Sequence, residues 1–183
     1  VSAIQQTKTQ KIGGKTIVLP TDEDLESPDR LAALITGHAV GFLATTPSRL
    51  SAFIRNSAFR KTLSRIERLV CGGEAFPTEL LKRLKNLTNA RIYNQYGPSE
   101  ATVGVSIKEL STAERITAGT PMGNCKLYIL DQWMNPLPIG GSGKLFVGGK
   151  CVGRGYRNRA DLTAKAFRPN PFVYDDRIYD TGD

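Results

Sequence analysis

Residues Asn94–Gly104 read NQYGPSEATVG and gather polar chemistry into one short stretch. The Asn94 amide, the Tyr96 phenol, the Ser99 hydroxyl and the Glu100 carboxylate are four different functional groups, and Gly97 and Pro98 bend the backbone between them. The stretch is too polar for a core strand. It reads as a strand that ends in a turn and presents a ligand-binding edge. Glu100 admits two readings. A carboxylate just after a strand end, beside a hydroxyl, can hold Mg2+ together with a phosphate. A glutamate following a serine cap is also what a helix N-terminus favours. Chemistry alone leaves both open.

Other candidate chemistries fall away. Gly97-x-Ser99-x-Ala101 approaches the nucleophile elbow of hydrolases, but Ala101 replaces the last glycine. The sole histidine, His38, lies upstream, whereas that order needs it after the serine. His38 reads as a helix-end residue. Gly140-Gly141-Ser142-Gly143-Lys144 resembles a phosphate loop only superficially. Pro138 stands where the Walker pattern needs its first glycine, and Leu145 where it needs Ser or Thr. A hairpin turn accounts for it. The three cysteines, Cys71, Cys125 and Cys151, form no CxxC pair and have no partner histidine, so no zinc site is expected. Their odd number and wide spacing fit reduced thiols and a cytoplasmic location.

The elements that would position Asn94–Gly104 alternate between strand and helix. Lys15–Leu19 is a short β-rich run, after a beginning over residues 1–14 that reads as frayed or cut. Ser27, Pro28 and Asp29 punctuate a helix start, Leu31, Leu34 and Ile35 form its apolar face, and Gly37 can end it. Ala39–Thr45 is an apolar run of strand length, expected to be covered on both faces. Pro47 opens a second helix with Leu50, Phe53 and Ile54 inward. Ile66–Cys71 is a strand, Pro77–Leu87 a helix with Leu80, Leu81, Leu84 and Leu87 on one side, and Ala90–Asn94 the strand that delivers the motif. This alternation predicts an α/β fold with a doubly wound parallel sheet, in which ligands sit beyond the carboxyl ends of the strands. Thr45-Thr46, Gly72–Ala75 and Asn94–Glu100 all fall at such ends.

After about Glu109 the pattern changes. Lys126–Asp131, Gly143–Val147 and Arg177–Asp180 read as short strands and Ala160–Phe167 as a short helix. Residues 1–109 are therefore expected to form an α/β subdomain, and residues 110–183 a smaller, mainly β, distorted barrel-like one. No apolar run approaches the ~20 residues that cross a bilayer, and no membrane role is expected. The net charge of +8 comes from scattered Lys and Arg, suited to solvated helix faces. No nucleic-acid motif accompanies it, and no nucleic-acid partner is expected.

The motif also carries a family resemblance. NQYGPSEAT resembles the NxYGPTE motif of adenylate-forming enzymes, specifically the adenylation domains of nonribosomal peptide synthetases. Three further stretches agree in order. LVCGGEA (residues 69–75) resembles the strand and glycine pair that line the acyl pocket and adenine site. GKLFVGGKCVGRGY (residues 143–156) resembles GELxxGGxGxARGY, with Cys151 where glycine is frequent. IYDTGD (residues 178–183) resembles YxTGD.

The resemblance implies roles. Gly73, Glu74 and Ala75 would border the adenine of ATP, with Tyr96 stacking on it and Asn94 at the same edge. Ser99 would contact the α-phosphate region, Glu100 would bind Mg2+, and Asp183 would accept from the ribose hydroxyls. Ala44, Val70, Gly72, Gln95, Val103 and Gly104 would line a roomy, mostly apolar amino-acid pocket with Gln95 as its one polar handle. The implied reaction forms aminoacyl-AMP from an amino acid and Mg·ATP, then loads a phosphopantetheine thiol on a peptidyl carrier protein among neighbouring synthetase domains. By the same resemblance, a phosphate loop ending in Pro-Lys and an FDxS-like aspartate would lie upstream, and a hinge and catalytic lysine downstream. These 183 residues alone are expected to show little or no adenylation. The alternatives are an acyl- or aryl-CoA ligase fragment, against which GPSEAT and RGY speak, and a noncatalytic nucleotide-binding module.

Overall fold

The computed structural model describes Gly14 and residues 16–183. They pack as two compact units. One contains the described residues up to Gln95 together with Ile107–Gly119, and the other Tyr96–Ser106 together with Thr120–Asp183. The sequence-based division at residue 109 and this one place Tyr96–Ser106 on different sides.

The first unit contains, in order, α1 (Asp22–Glu26), α2 (Pro28–Gly37), β1 (Phe42–Thr45), α3 (Pro47–Phe53), α4 (Ser57–Thr62), β2 (Arg68–Gly72), α5 (Thr78–Leu87) and all but the last residue of β3 (Arg91–Tyr96). The short strand β4 (Ser106–Glu109) lies beside β3. Side-chain caps start the early helices: Ser27 accepts from the Arg30 N–H, Thr46 from that of Arg49 and Asn56 from that of Phe59. His38 closes α2, its N–H bonded to the Leu34 carbonyl, and Ala39 turns out of the helix with φ 49°.

β1, β2 and β3 are parallel, with Ala44 opposite Val70 and Gly72 opposite Gln95. Alternation along a pleated strand then sorts the side chains. Leu43, Leu69, Cys71 and Ile92 join the core made by α2–α5, with Leu31, Ile35, Leu50, Phe59, Leu80 and Leu84. Ala44, Val70, Gly72 and Gln95 fall on the opposite face of the strands. Fully burying one such Leu or Ile stabilises the fold by about 1.5–3 kcal/mol.

The α/β class with a parallel sheet stands as expected, with local differences. Strand β1 begins only at Phe42, because Val40 still bonds to the Ile35 carbonyl as α2 ends. It is half-buried throughout, because it is the terminal strand of its sheet. Helix α4 lies in the run of basic residues and shows no long apolar face to signal it. Leu87, the last residue of α5, is partly exposed. Thr16–Leu19 form no strand; Lys15 and the expected beginning, Gly14 apart, lie outside the described residues.

The second unit contains a 3-10 turn (Ser99–Ala101), β5 (Thr120–Pro121), β6 (Cys125–Leu130), β7 (Lys144–Gly149), α6 (Ala160–Ala166), β8 (Phe167–Pro169) and β9 (Arg177–Asp180). Its antiparallel sheet runs β6-β7-β9-β8. Strand β7 serves two small cores. Phe146 packs with Leu130 and Ile178. Val147, on the other face, packs with Ala101, Val105, Tyr96 and Leu127. The turn that carries Ser99 and Glu100 is thus anchored from below by Ala101, which is fully buried.

Candidate active site

The residues singled out by the sequence fall in both units. In the first, the register of β1–β3 puts Ala44, Val70, Gly72 and Gln95 on the strand face away from the helical core. Val70 is buried. Gly72 is dictated by backbone proximity, because a Cβ there would lie 2.8 Å from the Gln95 carbonyl oxygen. Gly73 has φ +83°, a conformation that glycine adopts without steric cost.

Glu74 and Ala75 are exposed. The Glu74 carboxylate accepts from the Ser48 N–H at 3.0 Å and from the Ser48 hydroxyl at 2.7 Å. It therefore ties the loop after β2 to the first turn of α3, which follows β1. The Ser48 bonds hold its carboxyl below the ordinary glutamate range. Asn94 points to the core side of β3, opposite to Gln95. Its amide donates to the Thr117 carbonyl at 2.9 Å. The residue types alone did not disclose either partner, Ser48 or Thr117.

In the second unit the chain from Tyr96 to Val105 folds tightly back on itself. The Val105 N–H bonds to the Tyr96 carbonyl at 2.9 Å, and the Pro98 carbonyl accepts from both Ala101 and Val103. Gly97 sits inside this turn. A Cβ on it would lie 2.3 Å from the Val103 oxygen and 2.8 Å from the Val105 nitrogen. Thr102 and Val103 both take left-handed backbone, with φ 64° and 71°. A β-branched residue there is strained by about 1–3 kcal/mol, and the surrounding bonds hold it, including one from the Thr102 hydroxyl to the Cys151 carbonyl at 2.7 Å. Ser99 is exposed at the start of the turn, and Gly104 is buried at its end.

Two carboxylates stand out in this unit. The Tyr96 phenol donates to Asp183 Oδ2 at 2.5 Å. Burial first, and then this bond, push the Tyr96 hydroxyl up to about 12. Glu100 Oε1 accepts from the Tyr156 phenol at 2.7 Å, which holds the Glu100 carboxyl below its ordinary range. Tyr156 belonged to the RGY signature, but its sequence gave no role for its phenol. Tyr179 also neighbours the pair, and burial followed by the Tyr156 contact raises its phenol well above the ordinary tyrosine value.

Among the described residues, no group of three or more His, Cys, Asp or Glu side chains could hold a metal ion. A lone carboxylate such as Glu100 nevertheless suits Mg2+, which is bound in nucleotide enzymes through one or two carboxylates, phosphate oxygens and water. The donor set fits such an ion.

The chain belongs to the family of AMP-binding enzymes, whose family model matches residues 10–157. It is similar to the PKS-NRPS hybrid synthetase ATPKS of Aspergillus niger, with 37% identity over 170 residues, covering 93% of this chain and 9% of that protein. It is also similar to gramicidin S synthase 2 of Brevibacillus brevis, with 34% identity over 174 residues, covering 94% of this chain and 4% of that protein. The chain thus spans less than a tenth of the length of these curated relatives. Among solved structures it resembles a holo four-domain nonribosomal peptide synthetase bound to AMP and glycine. That match has a TM-score of 0.80 and 28% identity, covering 93% of this chain and 13% of the other. No helix among the described residues is long and apolar enough to cross a membrane.

Proposed function

We propose that these residues form part of an amino-acid-activating adenylation domain. The amino-acid carboxylate attacks the α-phosphorus of ATP, an acyl–phosphate bond forms, and pyrophosphate leaves. The acyl group of the resulting aminoacyl-AMP then passes to the phosphopantetheine thiol of a peptidyl carrier protein, releasing AMP. The observation that carries this reading is the clustering within one unit of the motif residues Tyr96, Glu100 and Asp183, two of them in direct contact. The relatives support it.

In this reading Tyr96 stacks on adenine, Asp183 accepts from the ribose hydroxyls, and Ser99, exposed beside Glu100, meets the α-phosphate region. A Mg2+ ion held by Glu100 and phosphate oxygens would neutralise charge on the phosphates. Gly73, Glu74, Ala75 and Asn94 belong to the adenine side. Glu74 acts there through the loop that it fastens to α3, and Asn94 through the backbone that it fixes. Ala44, Val70, Gly72 and Gln95 share one strand face, which suits one wall of an amino-acid pocket. The protein's own residues contribute positioning and electrostatic stabilisation. A cytoplasmic location with reduced cysteines and neighbouring synthetase domains completes the reading.

The test is ATP–pyrophosphate exchange by the intact protein against a panel of amino, aryl and fatty acids. Exchange that depends on one or a few amino acids is expected. Exchange on aryl or fatty acids only would replace this reading with the acyl- or aryl-CoA ligase. The 183 residues alone are expected to give little or no exchange.

A further inference from the structure

We infer that Tyr156 is a positioning residue that fixes the Glu100 carboxylate for the metal, and that residues 153–163 form the frame that holds Tyr156. The inference rests on the proposed metal role of Glu100.

Glu100 sits in a three-residue 3-10 turn, too short to restrain a long side chain by itself. It is held at both ends instead. Its backbone carbonyl accepts from the Gly153 N–H at 2.7 Å, and its Oε1 accepts from the Tyr156 phenol at 2.7 Å. A bond to an ionised carboxylate is strong and directional. A carboxylate offers about four lone-pair sites, so the Tyr156 phenol, with Tyr179 beside it, orients the carboxylate without exhausting its capacity as a ligand.

The frame explains why the segment reads GRGY. A Cβ at Gly153 would lie 2.8 Å from the Glu100 carbonyl oxygen, so only glycine permits the close backbone approach. Gly155 has φ +128°, and a Cβ there would lie 2.4 Å from Thr163 Cγ2. The Tyr156 N–H donates to the Thr163 hydroxyl at 2.9 Å. Arg177 donates to the carbonyls of Gly153 and Arg154, each at 3.1 Å. The Tyr156 ring meets Phe167 edge-on at 5.6 Å. Removing only the Tyr156 phenol oxygen would keep this ring packing and take away the shortest bond that orients the carboxylate, leaving Tyr179 beside it.

The test compares the intact protein with Tyr156→Phe and Glu100→Gln. Mn2+ serves as the probe, and its binding in the presence of a nonhydrolysable ATP analogue is read from the electron paramagnetic resonance of free Mn2+. Loss of an outer partner of a metal ligand weakens metal binding about 10-fold or more. Tyr156→Phe is therefore expected to weaken Mn2+ by about 10-fold and to raise the Mg2+ needed for exchange. Its KM for the amino acid should stay unchanged, and excess Mg2+ should restore its rate. Glu100→Gln should lose more, without rescue. Wild-type Mn2+ affinity in Tyr156→Phe alongside impaired Glu100→Gln would overturn the inference and leave the proposed function standing. Wild-type affinity in both would overturn the metal role of Glu100 as well.

Discussion

Tyr96 and Asp183 lie 87 positions apart, yet the phenol of one donates to the carboxylate of the other at 2.5 Å. The backbone makes this contact possible. Asp183 is fastened to β7, because the Leu145 N–H donates to its carbonyl at 3.0 Å and the Thr181 N–H donates to the Leu145 carbonyl at 3.2 Å. Gly182, at φ +83°, turns the chain between those two bonds. Tyr96 in turn packs on the Val147 face of the same strand. Two residues proposed to meet the base and the sugar of one nucleotide are thus spaced by a direct bond, through the sheet that both lean on.

Replacing Asp183 with Ala should weaken ATP binding by about 10- to 100-fold, the span expected when hydrogen bonds to a charged group are lost. The loss should be much smaller for an ATP analogue lacking the ribose hydroxyls. Calorimetric titration of both nucleotides against wild type and variant checks this. Equal losses for the two would show that Asp183 does not read the sugar.

Gly97→Ala should disrupt the turn that carries Ser99 and Glu100. Its Cβ would meet backbone atoms at 2.3 and 2.8 Å, which cannot swing aside as a side chain could. Overpacking of this kind costs about 1–3 kcal/mol. Urea denaturation measures the change, and an unaltered midpoint would contradict the described turn.

Gly72→Ala separates two meanings of a glycine. If Gly72 only made room for substrate, alanine would narrow the pocket and shift preference toward smaller amino acids without loss of stability. The Gln95 carbonyl at 2.8 Å from the would-be Cβ predicts instead a destabilisation of about 1–3 kcal/mol from strained β2–β3 pairing. Denaturation and substrate-panel exchange, run side by side, decide between them.

Acid should loosen the loop after β2 through Glu74. The Ser48 bonds lower its folded-state pKa, so the bound carboxylate stabilises the fold above the ordinary glutamate value, about 4.3. That contribution is lost as pH falls through the lower folded value. Glu74→Gln should therefore be less stable than wild type near neutrality, and the gap should close in the acid range. A gap that persists unchanged at pH 2–3 would count against the Ser48 bonds as its cause.

Much of this was legible in the residues because local chemistry and tertiary structure agree. Ser27-Pro28 starts a helix whether or not anything packs on it, and the leucines of α5 declare their face by spacing. Asn94–Gly104 announced a strand end and turn through Gly97 and Pro98. What stayed hidden depends on partners far away in sequence. The residue type of Asn94 gives no sign that its amide donates to Thr117, 23 positions on. The residue type of Glu74 gives no sign that its carboxylate reaches back 26 positions to Ser48. Glu100 stood between metal ligand and helix-start residue, and the phenol of Tyr156 enters only when the chain folds. Helix α4 carries no sequence signal because its few apolar residues, Phe59 among them, are interspersed with Arg and Lys.

The most direct measurement is mass spectrometry of the products formed when the intact protein is incubated with Mg·ATP and a pool of amino acids. The masses of one or a few aminoacyl adenylates are expected, with pyrophosphate released, and both products should be lost in Glu100→Gln. Adenylates of aryl or fatty acids alone, or ADP and phosphate in place of AMP and pyrophosphate, would contradict the proposed function.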